Sequence, residues 1–129
     1  MRNISTSIEQ SKKLLSLGLK PETADCCWVG KTIDWKGEEI KNPRYRFHEE
    51  YTEHWIVQNF ERVEVIPSWS VSRLIELADQ KGITIMRGGR ICDVERDEYY
   101  VDSDIFENLI SLIKNLIEWE EIDQKYLTL

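Results

Sequence analysis

The sequence predicts an α+β fold, a small mostly antiparallel sheet with helices packed on one face. Three observations carry that reading. The stretch Val63–Ala78, VEVIPSWSVSRLIELA, changes from the two-residue period of a strand to the spacing of a helix. Ile83–Val94 holds two alternating runs that meet at Gly88-Gly89, as in a hairpin. From Asp104 to about Asp123 runs the longest amphipathic stripe in the chain. The 129 residues fit one domain, residues 1–129, long enough to bury a core without disulfide or metal staples.

In chain order, Thr6-Ser7-Ile8-Glu9 reads as a capping box, with Thr6 at the N-cap and Glu9 three residues on. The helix runs to about Leu17 on Ile8, Leu14, Leu15 and Leu17, interrupted by Ser11 and Lys12, and Gly18 supplies a left-handed stop. Pro21 to Asp25 reads as a second short helical turn, because proline suits a first helical position. Cys26-Cys27-Trp28-Val29 makes a short strand. Residues 30–54 are charged and hold Gly30, Gly37 and Asn42-Pro43, and they read as a long loop or insertion. Trp55, Ile56, Val57 and Phe60 then supply apolar anchors before the central strand.

In that strand Val63 and Val65 alternate with Glu64, and Pro67 confines it to an edge or ends it. Ser68 or Ser70 caps the next helix, with Trp69 at the joint and Val71, Leu74, Ile75 and Ala78 at helical spacing. Lys81-Gly82 ends that helix. The hairpin turns on a two-residue Gly88-Gly89 loop; Ile83 and Ile85, with Ile91 and Asp93, take one face, and Cys92 and Val94 the other. Tyr99-Tyr100-Val101 either adds a short third strand or completes the second one after a bend. In the last helix Asp104 and Glu107 give an acidic first turn, and Ile105, Leu109, Leu112, Ile113, Leu116 and Ile117 form the buried face, widened by Phe106, Ile110 and Trp119. Glu118, Glu120, Glu121 and Asp123 crowd its end, where the helix dipole favours cations, with Lys125 placed to offset Glu121.

Charge is uneven. Residues 1–90 carry 14 Lys and Arg against 13 Asp and Glu, a net of +1; residues 91–129 carry 3 against 11, a net of −8. The acidic half repels phosphate and suits a basic partner protein. Lys41, Arg44 and Arg46 interleave with Tyr45 and Phe47, a weak stacking-plus-charge pattern for nucleic acid, and acidic residues flank it. The only cluster of metal-type ligands is His48 to His54, which lacks the HExxH spacing. Cys26, Cys27 and Cys92 form no CxxC pair, which argues against a zinc ribbon or a disulfide framework and for buried thiols in a cytoplasmic chain. No apolar run approaches the length of a membrane span, and the first ten residues lack the apolar core of a signal peptide.

Several pieces of the chain resemble a group of small uncharacterised proteins of gut-bacterial phages and mobile elements. They are Glu9-Gln10 with Leu14-Leu15 and Gly18-Leu19; Glu22-Thr23-Ala24-Asp25; Pro67-Ser68-Trp69-Ser70 with Arg73-Leu74-Ile75-Glu76-Leu77; and the amphipathic C-terminal helix with its tryptophan. The resemblance covers about half of the chain, departs from it between Trp35 and Glu53, implies a compact α+β domain and transfers no catalytic or binding residue.

The expected function is therefore a non-enzymatic accessory or protein–protein interaction module, without cofactor or metal. Five tryptophans point to a binding surface, and Trp28 and Trp35 are the ones expected in solvent, whereas Trp55, Trp69 and Trp119 are expected inside. Glu118, Glu120 and Glu121 offer a docking end for a basic partner, and a homo-oligomer is compatible with the sequence. One alternative is a small enzyme with a site near residues 48–54 or Cys92; another is an acidic mimic of nucleic acid, which requires regularly spaced exposed carboxylates along the last helix.

Overall fold

The computed structural model describes residues 4–51, 63–78 and 82–128. The regular elements are α1 (Ile8–Ser16), β1 (Cys26–Lys31), β2 (Tyr45–His48), β3 (Val63–Ser68), α2 (Val71–Ala78), β4 (Ile83–Ile85), β5 (Ile91–Asp93), β6 (Glu98–Tyr100) and α3 (Ile105–Glu118). Short 3₁₀ turns occupy Pro21–Thr23, Arg87–Gly89 and Gln124–Tyr126. The fold is α+β and its strands are antiparallel, divided between two three-stranded sheets, β2-β1-β3 and β4-β5-β6. Helix α3 packs on β5, β6, α2 and α1, and α1 also packs on β3. Leu14, Trp69, Leu74, Ile91, Leu109, Leu112, Ile113 and Leu116 are among the fully buried residues of the core between them. The anchors expected at Trp55, Ile56, Val57 and Phe60, together with His54 and Lys81, lie outside the described residues.

The segment read as one long loop contains strand β2, which pairs Phe47 with Trp28 and Tyr45 with Gly30. The Tyr45 ring lies against Gly30, where a Cβ would meet it at 2.4 Å, so only glycine admits the ring there. Between β1 and β2 a tight turn closes on Asp34, whose Oδ1 accepts from the backbone N–H of Lys36 and of Glu38, both at 2.9 Å.

Helix α1 starts one residue later than expected. Its N-cap is Ser7 and its capping box closes with Gln10, not Thr6 with Glu9. Thr6 is fully buried and engaged elsewhere: its hydroxyl accepts from Trp69 N–H and meets the hydroxyls of Ser11 and Ser68. Gln10 can do what a glutamate cannot. Its Oε1 accepts from Ser7 N–H at 2.9 Å while its Nε2 donates to Asp104 Oδ2 at 2.9 Å and to Glu107 Oε1 at 3.0 Å. The starts of α1 and α3 are thereby tied together. Ser11, expected to break the apolar stripe, is buried and donates to Ser7 carbonyl at 2.7 Å.

The joint between β3 and α2 is built as its residues suggest. Pro67 stands opposite Cys27 in an edge strand, where a missing N–H leaves no ladder gap on the outer side. The Trp69 ring is fully buried, and its Nε1 donates to Thr23 Oγ1 at 3.0 Å. Ser70, rather than Ser68, caps α2 by accepting from Arg73 N–H at 3.2 Å. Ser68 instead donates inward to the carbonyl of Thr6 at 2.8 Å.

Helix α3 begins as expected, with Asp104 at the N-cap accepting from Phe106 N–H at 2.9 Å. It ends at Glu118, not near Asp123. There Glu120 N–H donates to Ile117 carbonyl at 3.1 Å and Glu121 N–H to Leu116 carbonyl at 2.8 Å, the two bonds of a Schellman stop. The chain reverses so that Ile122 returns to the core at 4% exposure. Only Glu118 of the acidic cluster thus faces the helix dipole from within the helix. Helix α1 closes with the same pair of bonds around Gly18, at φ 105°. In α3 the left-handed position belongs to Glu120, at φ 57°. A side chain there costs about 1–2 kcal/mol relative to a right-handed conformation. Glu120→Gly is accordingly expected to stabilise the fold by about 1 kcal/mol, read as a rise in the urea midpoint at unchanged slope; an unchanged or lower midpoint would refute the cost assigned to Glu120.

Residues 124–128 return to the first helix. Lys20 N–H donates to Tyr126 carbonyl at 2.8 Å, Thr128 N–H donates to Gly18 carbonyl at 2.7 Å, and Leu19 bridges Leu127.

Candidate interaction surface

The β4-β5-β6 sheet has two unlike faces, set by the alternation of its short strands. Ile91, Asp93 and Tyr100 point to α3 and are buried. On the outer face Thr84, Cys92 and Tyr99 stand in register across the three strands. One row further on are Met86, Arg90 and Val101, with Met86 N–H donating to Arg90 carbonyl at 2.7 Å. Val94 lies at the opposite end, just past β5. Exposure of the apolar members is high: Met86 36%, Val94 64%, Tyr99 58% and Val101 65%.

Gly88-Gly89 does not form the expected two-residue loop. The strands part at Ile85 and Ile91, and Arg87–Gly89 makes a 3₁₀ turn between them. Both glycines do take positive φ, 82° and 80°. The longer turn is explained by what it touches: a Cβ on Gly89 would meet Ile105 Cβ at 2.9 Å, so the turn packs directly on the start of α3. Asn108, 2% exposed, holds it there. Its Nδ2 donates to the carbonyls of Gly89 at 2.8 Å and Asp102 at 2.9 Å, and its Oδ1 accepts from Asp102 N–H at 2.8 Å. Beside the turn is an open concavity of about 490 Å³ lined by Arg87, Gly88, Arg90, Val101, Asp102 and Ser103.

The other end of the sheet carries acid. Glu95, Asp97 and Glu98 are exposed around the β5–β6 turn. The Cys92 sulfur first, then the Asp97 carboxylate, raise the Tyr99 hydroxyl above the usual phenol range. Behind this turn Asp93, fully buried, receives Arg96 Nη1 at 2.9 Å through Oδ2, while its Oδ1 has no hydrogen-bond partner among the described residues. Arg96 also pairs with Glu121 and lies over the Trp119 ring at 5.0 Å. It pins the β5–β6 turn to the end of α3.

The residues singled out in the sequence do not gather in one place. Trp28 is half-buried, not in solvent: its Nε1 donates to Thr6 carbonyl at 2.9 Å and its ring meets Phe47 at 5.4 Å. Trp35 is 78% exposed at the tip of the β1–β2 turn, with Lys36 Nζ 5.0 Å from its ring. Trp119, expected inside, is 39% exposed. Glu118 and Glu120 are exposed; Glu121 pairs with Arg96, and Lys125 pairs with Asp123 at 3.5 Å rather than with Glu121. The exposed positions of α3 are Ser111, Lys114 and Glu118, so the carboxylate ladder that nucleic-acid mimicry requires is not found on this helix. The basic–aromatic interleaving around β2 is divided by the pleat: Tyr45 and Phe47 oppose Gly30 and Trp28, and Arg46 takes the other face.

Buried thiols are poor nucleophiles here. Burial chiefly, with the nearby Asp25 carboxylate, pushes Cys26 up to about 12, and burial with Glu50 pushes Cys27 up to about 11. Among the described residues no three His, Cys, Asp or Glu side chains gather as a metal site, and no helix is long and apolar enough to cross a membrane. The outer face of β4–β6 is legible in part: alternation sets Cys92 and Val94 opposite Ile91 and Asp93, as expected, and carried across to the next strand it also sets Tyr99 and Val101 opposite Tyr100. No family model, curated protein or solved structure matches the chain.

Proposed function

We propose that the chain is a non-catalytic interaction module, of phage or mobile-element origin and cytoplasmic, whose contact surface is the outer face of β4–β6. The observation that supports this is the set Met86, Val94, Tyr99 and Val101, exposed together on one side of a sheet whose other side is packed on α3. Contiguous exposed apolar surface marks interaction sites, and a tyrosine among aliphatic side chains is a common anchor. Glu118, in the last turn of α3, and Glu120, just past its stop, are not on this face and serve as its internal control.

The test is affinity capture from a bacterial lysate, with and without nuclease, alongside an untagged copy of the chain. Val101→Glu adds a charge at a 65%-exposed site and is expected to leave stability within about 0.5 kcal/mol. Loss of a nuclease-resistant protein partner in that variant, with Glu118→Gln/Glu120→Gln retaining it, is the expected result; Glu121 is left in place because it pairs with Arg96 of the β5–β6 turn. Retention by Val101→Glu and loss by the glutamine double would move the contact surface to the acidic end.

A further inference from the structure

The β4–β6 face carries charge of opposite sign at its two ends. Arg87 and Arg90 stand at the end bearing Met86 and Val101. Glu95 and Asp97 stand at the other, past Tyr99 and Val94, whereas Glu98 pairs with Asp93 and takes the side of the sheet that faces α3. Between them lie Thr84, Cys92 and Tyr99 in one cross-strand row. Rows of like-facing residues on a strand are about 6.6 Å apart, so the two charged ends are separated by roughly 13 Å of mostly apolar surface. No hydrogen bond or ion pair within the described residues engages the side chain of Arg87 or Arg90.

A partner of either single sign meets repulsion at one end of this surface. A second copy laid face to face on the first, related by a two-fold axis that lies between the two sheets, parallel to them and perpendicular to the strands near Cys92, meets attraction at both. Self-complementarity of that kind is the requirement of an isologous two-fold interface. We infer that the occupant of this face is a second copy of the chain, packed sheet to sheet with Arg90 opposite Asp97 of its partner and the reverse.

This rests on the reading of the β4–β6 face as the contact surface. The face is small, because each strand contributes three residues. The pair is therefore a weak one, below the standard interface size, and weakened further by salt.

Sedimentation equilibrium on the intact chain tests it, from about 10 μM to about 1 mM at low and high salt. The wild type is expected to dimerise in the upper part of that range. Arg90→Glu places two repulsive pairs in its own dimer, as does Asp97→Arg in its own. Each is expected to weaken self-association at least tenfold. Mixed one to one, the two variants restore both attractions and form a heterodimer at wild-type strength, a readout that loss of folding in either would not produce. Thermal melts confirm that Asp97→Arg is folded, since residue 97 holds φ 54°. If it is not, the wild type, Arg90→Glu and Val101→Glu decide the matter.

A wild type that stays monomeric at about 1 mM overturns self-pairing. The module reading is then judged separately by the Val101→Glu capture. A dimer indifferent to Arg90→Glu and Val101→Glu also overturns the pairing, because it must use another surface. A dimer that obeys the charge swaps while the lysate yields no other protein supports self-pairing and removes any need for a foreign partner.

Discussion

Trp69→Ala is expected to cost about 3–5 kcal/mol, a large share of the roughly 5–15 kcal/mol that holds a domain folded. The ring is fully buried where β3 meets α2, among residues brought from α1, the Pro21–Thr23 turn and α3. Its removal leaves a cavity that no single neighbour can fill, because those neighbours belong to different elements. It also leaves Thr23 Oγ1 without the donor held at 3.0 Å. Trp69→Phe separates the two effects: most of the ring volume stays and only the indole N–H is lost, for about 1–2 kcal/mol. Urea denaturation followed by far-UV circular dichroism measures both. A cost for Trp69→Ala no larger than that of Trp69→Phe would show that packing at the joint is not what holds α2 to the sheet.

Asn108→Leu is the second large effect, expected at about 3 kcal/mol. The substitution keeps the γ-branched heavy-atom skeleton and suits a helix, so propensity does not explain a loss. What is lost is a set of three hydrogen bonds to Gly89 and Asp102 at a residue 2% exposed. Replacing the amide by an apolar group strips the backbone groups of their partner and leaves them to be desolvated. Hydrogen exchange gives the more specific readout. The Asp102 amide, which donates to Asn108 Oδ1, is expected to lose protection ahead of the α3 interior. Loss of protection spread evenly over the chain would instead make Asn108 an ordinary core residue.

The fold was legible where a local pattern had one solution. The α3 stripe, the Trp69 joint and the edge placement of Pro67 follow from period, volume and the missing proline N–H, while at Tyr99-Tyr100 the structure chooses the separate third strand over a continuation of the second. It was misread where two local solutions were equivalent and a distant residue chose between them. Thr6 with Glu9 and Ser7 with Gln10 are equally good capping boxes; Trp69 N–H claims the Thr6 hydroxyl, and Asp104 claims the Gln10 amide. Gly88-Gly89 suits a two-residue turn, yet Asn108, nineteen residues on, draws it into a wider one. The stop of α3 carried no local mark, since Glu120 sits where glycine is usual. The outer face of β4–β6 was the least legible part, because a β-strand with apolar residues on both sides reads as more deeply buried than this sheet is.

The pairing of residues 126–128 with residues 18–20 bears on the order in which the chain can fold as it is made. Gly18 and Thr128 are 110 residues apart, and Gln10 and Asp104 are 94 apart. At about 5–20 residues per second, roughly 5–20 s pass between synthesis of the Gly18 stop and synthesis of the segment that covers it. A nine-residue helix does not hold itself together for that interval. Until α3 and its following turn leave the ribosome, the first helix has only β3 to pack on, and the cover that α3 gives Leu14, and that Leu127 gives Leu19, arrives last.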